Sequence, residues 1–243
     1  YKPKTVKRKL ASLKALFNYY DFEHDDFLNP FRKLRIRFKE PYVLPTVMTC
    51  NEVKEILKYL YKLRADNPDT GGYAYKAQTR DIAVVELLFA TGIRVSELCE
   101  LSCDAVDLKQ ATIKVFGKGS KERVIQICSV EVLKILRQYQ RLFAPSKCFF
   151  INRLGNRLSS QSVRLLIKRC REEIGIGKKI TPHTFRHTFA TLLLEEDVDI
   201  KYIQNLLGHS SITTTQIYTH VNMNKQKKIL SSKHPRKKME MEE

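Results

Sequence analysis

The chain has 243 residues, with 44 Lys plus Arg against 26 Asp plus Glu and a formal net charge of +18. A chain of that length buries a core without disulfide staples, and an apolar share of 43% is too high for a disordered basic tail. Its longest apolar run, residues 82–91, is broken by Glu86 and falls short of the ~20 residues of a membrane span. The positive excess suits a polyanionic partner, nucleic acid or an anionic surface. It amounts to +6 in residues 1–40, +4 in residues 225–243 and +8 between them, so it describes an extended face and not a localisation tag.

Val6, Leu10, Leu13 and Phe17 recur at helical spacing, which predicts an amphipathic helix over 5–20, and Asn29-Pro30 marks a turn. Residues 32–47 are basic, carry Pro41 and Pro45, and read as a linker. The chain starts at Tyr1 without Met, and one helix before a linker is too little for a domain. Residues 1–31 are therefore expected to be the end of a larger helical one.

A second domain opens at Thr49-Cys50-Asn51-Glu52, a capping box, with helix to about Leu63 and a loop over 64–76. Helices follow over 77–90, stopped by Gly92, and over 95–101. Residues 112–116 and 123–127 alternate as strands around the turn Gly117-Lys118-Gly119-Ser120. A helix over 130–142, a short strand over 148–152 and a helix over 160–173 come next. Thr181-Pro182 starts a helix to about Glu195. Further helices are predicted over 199–207, ended by Gly208, and over 213–221, before the basic segment 224–238. The fold class is mainly α with a small antiparallel β-sheet.

Six scattered cysteines in a chain of this size read as free thiols of a reducing compartment. Cys99 and Cys103 lack a second pair for zinc, and Thr184 stands where H-E-x-x-H needs its Glu. No metal and no cofactor is expected.

Four polar clusters interrupt the apolar pattern: Thr91-Gly92-Ile93-Arg94-Val95-Ser96-Glu97-Leu98, Gly117-Lys118-Gly119, His183-Thr184-Phe185-Arg186-His187, and Leu207-Gly208-His209-Ser210 with Tyr218 nine residues beyond His209. His183 and Arg186 are three apart on one helix, and so are Arg94 and Glu97, a spacing at which a carboxylate can hold a guanidinium. Taken singly, each has a plain alternative. Arg94–Glu97 suits a surface ion pair, Lys118 a solvated turn, His183 a packed histidine and Tyr218 a core tyrosine. The P-loop pattern is absent.

In this order the clusters closely resemble the tyrosine site-specific recombinases, or phage integrases. They provide Arg in T-G-x-R-x-S-E-L, Lys in a G-K-G hairpin, H-x-x-R, L-G-H-S, then Tyr in Ile217-Tyr218-Thr219-His220. The likeness implies a recombinase catalytic-domain fold over 48–222, preceded by the C-terminal part of a helical core-binding domain (1–31) and the linker (32–47). It further implies a basic tail (223–243) that docks on a neighbouring protomer. Tyr218 would be the nucleophile that forms a 3′-phosphotyrosine link. Arg94 and Arg186 would bind the scissile phosphate, and His209 would donate to its non-bridging oxygen. His183 would be the general base and Lys118 the general acid, with Glu97, His187 and His220 supporting them.

These residue types suit that chemistry. A neutral phenol with a pKa of ~10 attacks poorly until a base takes its proton. Guanidinium forks stabilise the charge of an in-line phosphoryl transition state, and a departing alkoxide needs a proton. The expected partners are double-stranded DNA recombination sites, three further protomers in a tetramer and accessory DNA-bending proteins, with no membrane. The expected place is the bacterial cytoplasm, on the nucleoid when DNA is bound. Integration and excision of a mobile element is the leading reading. A Xer-like dimer resolvase, a type IB topoisomerase-like enzyme and a DNA-binding regulator that kept the fold are the alternatives.

Overall fold

The computed structural model describes residues 1, 3–24, 26–34, 45–116 and 122–208. The hairpin turn 117–120, most of the linker, the helix expected over 213–221 and the basic tail lie outside the described residues. The chain divides into two compact units, Tyr1–Leu44 and Pro45–Glu243.

In the first unit, helix α1 (Pro3–Glu23) is followed by a returning segment. The Phe17 ring meets Phe27 and Phe31 at 6.0 and 5.2 Å between centroids. The Asn29 amide donates to Asn18 Oδ1 at 3.0 Å and accepts from the Phe31 amide at 2.9 Å, fixing the turn that Asn29-Pro30 predicts.

The second unit is built around α3 (Tyr73–Thr91). Residues 82–88 are buried on every side of this helix, Glu86 included. It packs against α2 (Cys50–Ala65), α5 (Val130–Phe143) and α7 (Pro182–Glu195). Thr49 and Glu52 cap α2 reciprocally, and Thr181, Pro182 and Thr184 do the same for α7. These local signals are why both helices start where the sequence places them. Between them come α4 (Val95–Glu100), α6 (Ser160–Ile174) and a three-stranded antiparallel sheet. The sheet order is β1 (Val106–Asp107), β2 (Thr112–Phe116), β3 (Glu122–Gln126), with Ile113 opposite Ile125 and Val115 opposite Arg123. The last described helix, α8 (Ile200–Leu207), rests on α7 through Ala190, Ile203 and Leu207.

Two expectations are corrected. Helix α3 begins four residues before Ala77, because backbone at Gly72 opens it with no side-chain cap. Residues 148–152 are not a strand: Cys148 and Ile151 make isolated bridges to Ser102 and Arg157, with no continuous neighbour to extend either into a ladder. The edge strand β1 was not anticipated, since its two residues show no alternation of their own. The buried Tyr139 hydroxyl ties the 148–152 segment down instead, donating to Phe149 O at 2.8 Å and accepting from Ile151 N at 3.0 Å. No described helix is long and apolar enough to cross a membrane.

Candidate active site

The candidate site forms where the C-terminal end of α3, the start of α4, strand β3, α7 and the end of α8 meet. Gly92 terminates α3 in the left-handed region, at φ +59°. A Cβ there would stand 2.6 Å from Phe189 Cδ1 and 2.8 Å from Leu207 Cδ2, so only glycine lets α7 and α8 close on this turn.

Two residues on, Arg94 is the N-cap of α4 and Glu97 lies in its first turn. Glu97 Oε2 accepts from the Arg94 amide at 2.9 Å, and Oε1 accepts from Arg94 Nη1 at 2.6 Å. This is no solvated surface pair, because Glu97 is only 6% exposed. A buried carboxylate of this kind needs several donors to offset its lost hydration. The remaining donors come from Arg123, which the sequence reading did not single out. Its Nη1 and Nη2 reach Oε1 and Oε2 of Glu97 at 2.9 and 2.7 Å, a two-pronged fork. Burial alone would push the Glu97 pKa up, but the hydrogen bonds from Arg123 and Arg94 outweigh it and hold the group below its ordinary value.

Arg186, on α7, is 5% exposed. Its Nη1 donates to the Gly92 carbonyl at 2.7 Å and its Nη2 to the Leu207 carbonyl. Arg94 Nη2 donates to the Gly208 carbonyl at 3.0 Å, and Arg123 Nε to the Leu206 carbonyl at 3.2 Å. Three successive carbonyls at the end of α8 thus each receive a guanidinium from a different element. A helix C-terminus leaves such oxygens unsatisfied and carries partial negative charge, so cations are favoured there. The Gly208 amide closes the same end onto Gln204 and Asn205, with φ at +63°.

His183, in the first turn of α7, is exposed. The protein surrounding it, and then the positive charges of Arg186, Arg164 and Arg94, push its pKa below the ordinary histidine value. That shift favours the neutral imidazole, the form able to accept a proton. Burial, then His183 and Arg186, lower the pKa of His187 in the same way.

The structure thus brings Arg94, Glu97, His183, Arg186 and His187 together, with Arg123 added. Lys118, His209, Tyr218 and His220 lie outside the described residues. Lys118 is flanked in sequence by the two strands of the hairpin, and His209 directly follows Gly208, which Arg94 holds. Arg123 had one legible signal: it shares the inward register of β3 with buried Ile125, where a charge must find a partner. Two guanidiniums on one carboxylate and a third on the neighbouring carbonyls make a cationic cluster of planar donors, which is a chemistry for gripping an oxyanion.

The sequence model of the phage integrase family matches residues 46–225. A tyrosine recombinase of Agathobacter rectalis is 50% identical over 241 residues, spanning 98% of this chain and 78% of that protein. The chain belongs to the phage integrase family of tyrosine recombinases, enzymes that transfer DNA strands. Two solved structures share its mostly helical fold with a small antiparallel sheet. One is the XerH site-specific recombinase bound to a palindromic difH substrate, with a TM-score of 0.78, 23% identity and coverage of 95% of this chain and 67% of that one. The other is the Tn1549 transposon integrase in complex with transposon right end DNA, with a TM-score of 0.67, 22% identity and coverage of 94% and 78%.

Proposed function

We propose that this recombinase cuts and rejoins double-stranded DNA at its recombination sites through a covalent bond to Tyr218, and that it serves integration and excision of a mobile element. The observation that carries the reading is the convergence of Arg94 and Arg186, from different elements, on the single turn that leads into His209. In this reading the two guanidiniums share the non-bridging oxygens of one phosphodiester, with His209 as a further donor. Neutral His183 takes the phenol proton. The Tyr218 oxygen attacks phosphorus in line, the bond to the 5′ oxygen breaks, and Lys118 protonates that oxygen. The phosphotyrosyl ester conserves the bond energy, so a 5′ hydroxyl from another strand reverses the step without ATP. The arginine pair supplies the charge stabilisation that a metal ion supplies elsewhere.

In this reading residues 48–222 are the catalytic domain, residues 1–31 the end of a DNA-binding helical one, and the tail 223–243 couples protomers of a tetramer. Resolution of chromosome or plasmid dimers is a second reading with the same chemistry, and the likeness to XerH favours it as the likeness to Tn1549 integrase favours the first.

Covalent trapping tests the proposal. With a library of nicked genomic duplexes, the native chain should leave protein–DNA adducts that survive detergent. Tyr218→Phe, which removes one oxygen, should bind DNA and leave none. Adducts from the Phe variant would move the nucleophile elsewhere, and binding without adducts from the native chain would support the regulator. Sequencing the trapped fragments separates the two readings: ends of a mobile element for integration, one chromosomal site for dimer resolution.

A further inference from the structure

Arg123 connects three parts of the site that sequence places far apart. Both terminal nitrogens of its fork are on Glu97, and its Nε is on the Leu206 carbonyl. The side chain is 13% exposed and its stem lies under Gly208, where an added Cβ would come within 2.9 Å of Nη1 and 3.2 Å of Cδ. Glu97 in turn holds Arg94 by both its amide and its guanidinium. The strand that carries Arg123 pairs along its length with β2, so it is one leg of the hairpin whose turn bears Lys118.

We infer that Arg123 is a positioning residue for strand cleavage: it fixes Glu97, and through it the Arg94 guanidinium, while it locks the base of the hairpin to the α8 turn. The inference rests on the proposed roles of Arg94 and Tyr218. All three guanidinium nitrogens of Arg123 donate to protein acceptors, using three of its five N–H groups, so its action on the phosphate runs through Arg94 and not by touching it. Without Arg123, Glu97 loses two of its four donors and the Leu206 carbonyl loses its guanidinium. Arg94 is then held by a carboxylate free to turn. Displacement of a catalytic group by about 1 Å costs about 100-fold in rate.

The test uses Arg123→Ala and Arg123→Lys in the full chain, on a nicked duplex recovered by the trapping above. Cleavage by the Ala variant should fall about 100-fold, while DNA affinity stays near native. The melting temperature should drop, because Glu97 is left buried with fewer donors, so cleavage and affinity are both measured well below it. The decisive comparison uses a duplex whose scissile phosphate carries a methyl group in place of one non-bridging oxygen. That centre has no negative charge, so a well-placed Arg94 matters far less. The gap between native and Ala variant should shrink to less than about tenfold, as it should for Arg94→Ala. Native-rate cleavage by Arg123→Ala on ordinary DNA, or an equal gap on both substrates, would overturn the inference while Tyr218 chemistry stands. Should the Ala variant not fold, Arg123→Lys decides, since it keeps the charge and loses the fork: the same shrinking gap supports the inference, and native cleavage overturns it. Absence of any adduct from the native chain would instead remove the proposed function, and this inference with it.

Discussion

At the scale of single residues, the candidate site works by charge arranged against charge. His183 is the most informative case. Surrounding protein and three arginines depress its pKa, so its neutral form persists to lower pH than that of an ordinary histidine. As the base, it should keep cleavage going to lower pH than an ordinary histidine would, with the fall coming as pH drops through that depressed value. Arg164 is one of the three charges. Arg164→Gln removes it, so the His183 pKa should rise and the acidic limb of the cleavage profile should move to higher pH. A pH–rate series on trapped duplex measures this, and an unmoved limb would separate His183 from the titration. Glu97 runs the other way. Its native pKa is depressed, so its stabilising contribution is present above the ordinary carboxylate range and is lost as pH falls through the native value.

At the scale of elements, Gly92 is the point on which three helices depend. Gly92→Ala forces an L-residue into the left-handed region and drives a methyl into Phe189 and Leu207. The expected loss is about 2–5 kcal/mol, readable as a lower urea midpoint with an unchanged slope. Elements with their own punctuation were legible in the sequence. Thr49 with Glu52, Thr181 with Pro182, and the terminating glycines 92 and 208 each act within a few residues, and the helices they bound start or stop there. What was not legible depends on distant partners. Strand β1 exists because Ile113 lies beside Val106, and 148–152 fails as a strand because it has only single bridges to Ser102 and Arg157. The same division holds in the site. Arg94, Glu97, His183 and Arg186 stand in recognisable local patterns, whereas Arg123 acquires its meaning from Glu97, 26 positions earlier, and from a carbonyl 83 positions later.

At the scale of the whole molecule, the net charge of +18 governs how the chain meets DNA. Each phosphate neutralised by a lysine or arginine releases condensed counterions. Log affinity should therefore fall by about 0.9 per contact for each tenfold rise in salt. With about six to ten such contacts, affinity should drop by about 10³–10⁵ between 50 and 200 mM salt, measured by fluorescence anisotropy on a short duplex. A flat response would mean that the basic face lies away from the DNA. Arg123 should contribute little to that slope, because all three of its guanidinium nitrogens already donate to Glu97 and the Leu206 carbonyl. Most of the slope belongs to the solvated lysines and arginines outside the site, with Arg94 and Arg186 adding the one scissile phosphate.

The end of α8 also sets which substitutions the site tolerates. Its three arginine partners hold peptide oxygens of residues 206, 207 and 208, and every amino acid supplies the same oxygen. Side chains on this helix are therefore released from service to the arginines. Leu207 remains constrained by its packing and Gly208 by its backbone, but Tyr202 and Leu206 point outward at 68% and 42% exposure. Descendants of this chain can rewrite that outer face, and with it whatever the face meets, while inheriting the arginine grip unchanged.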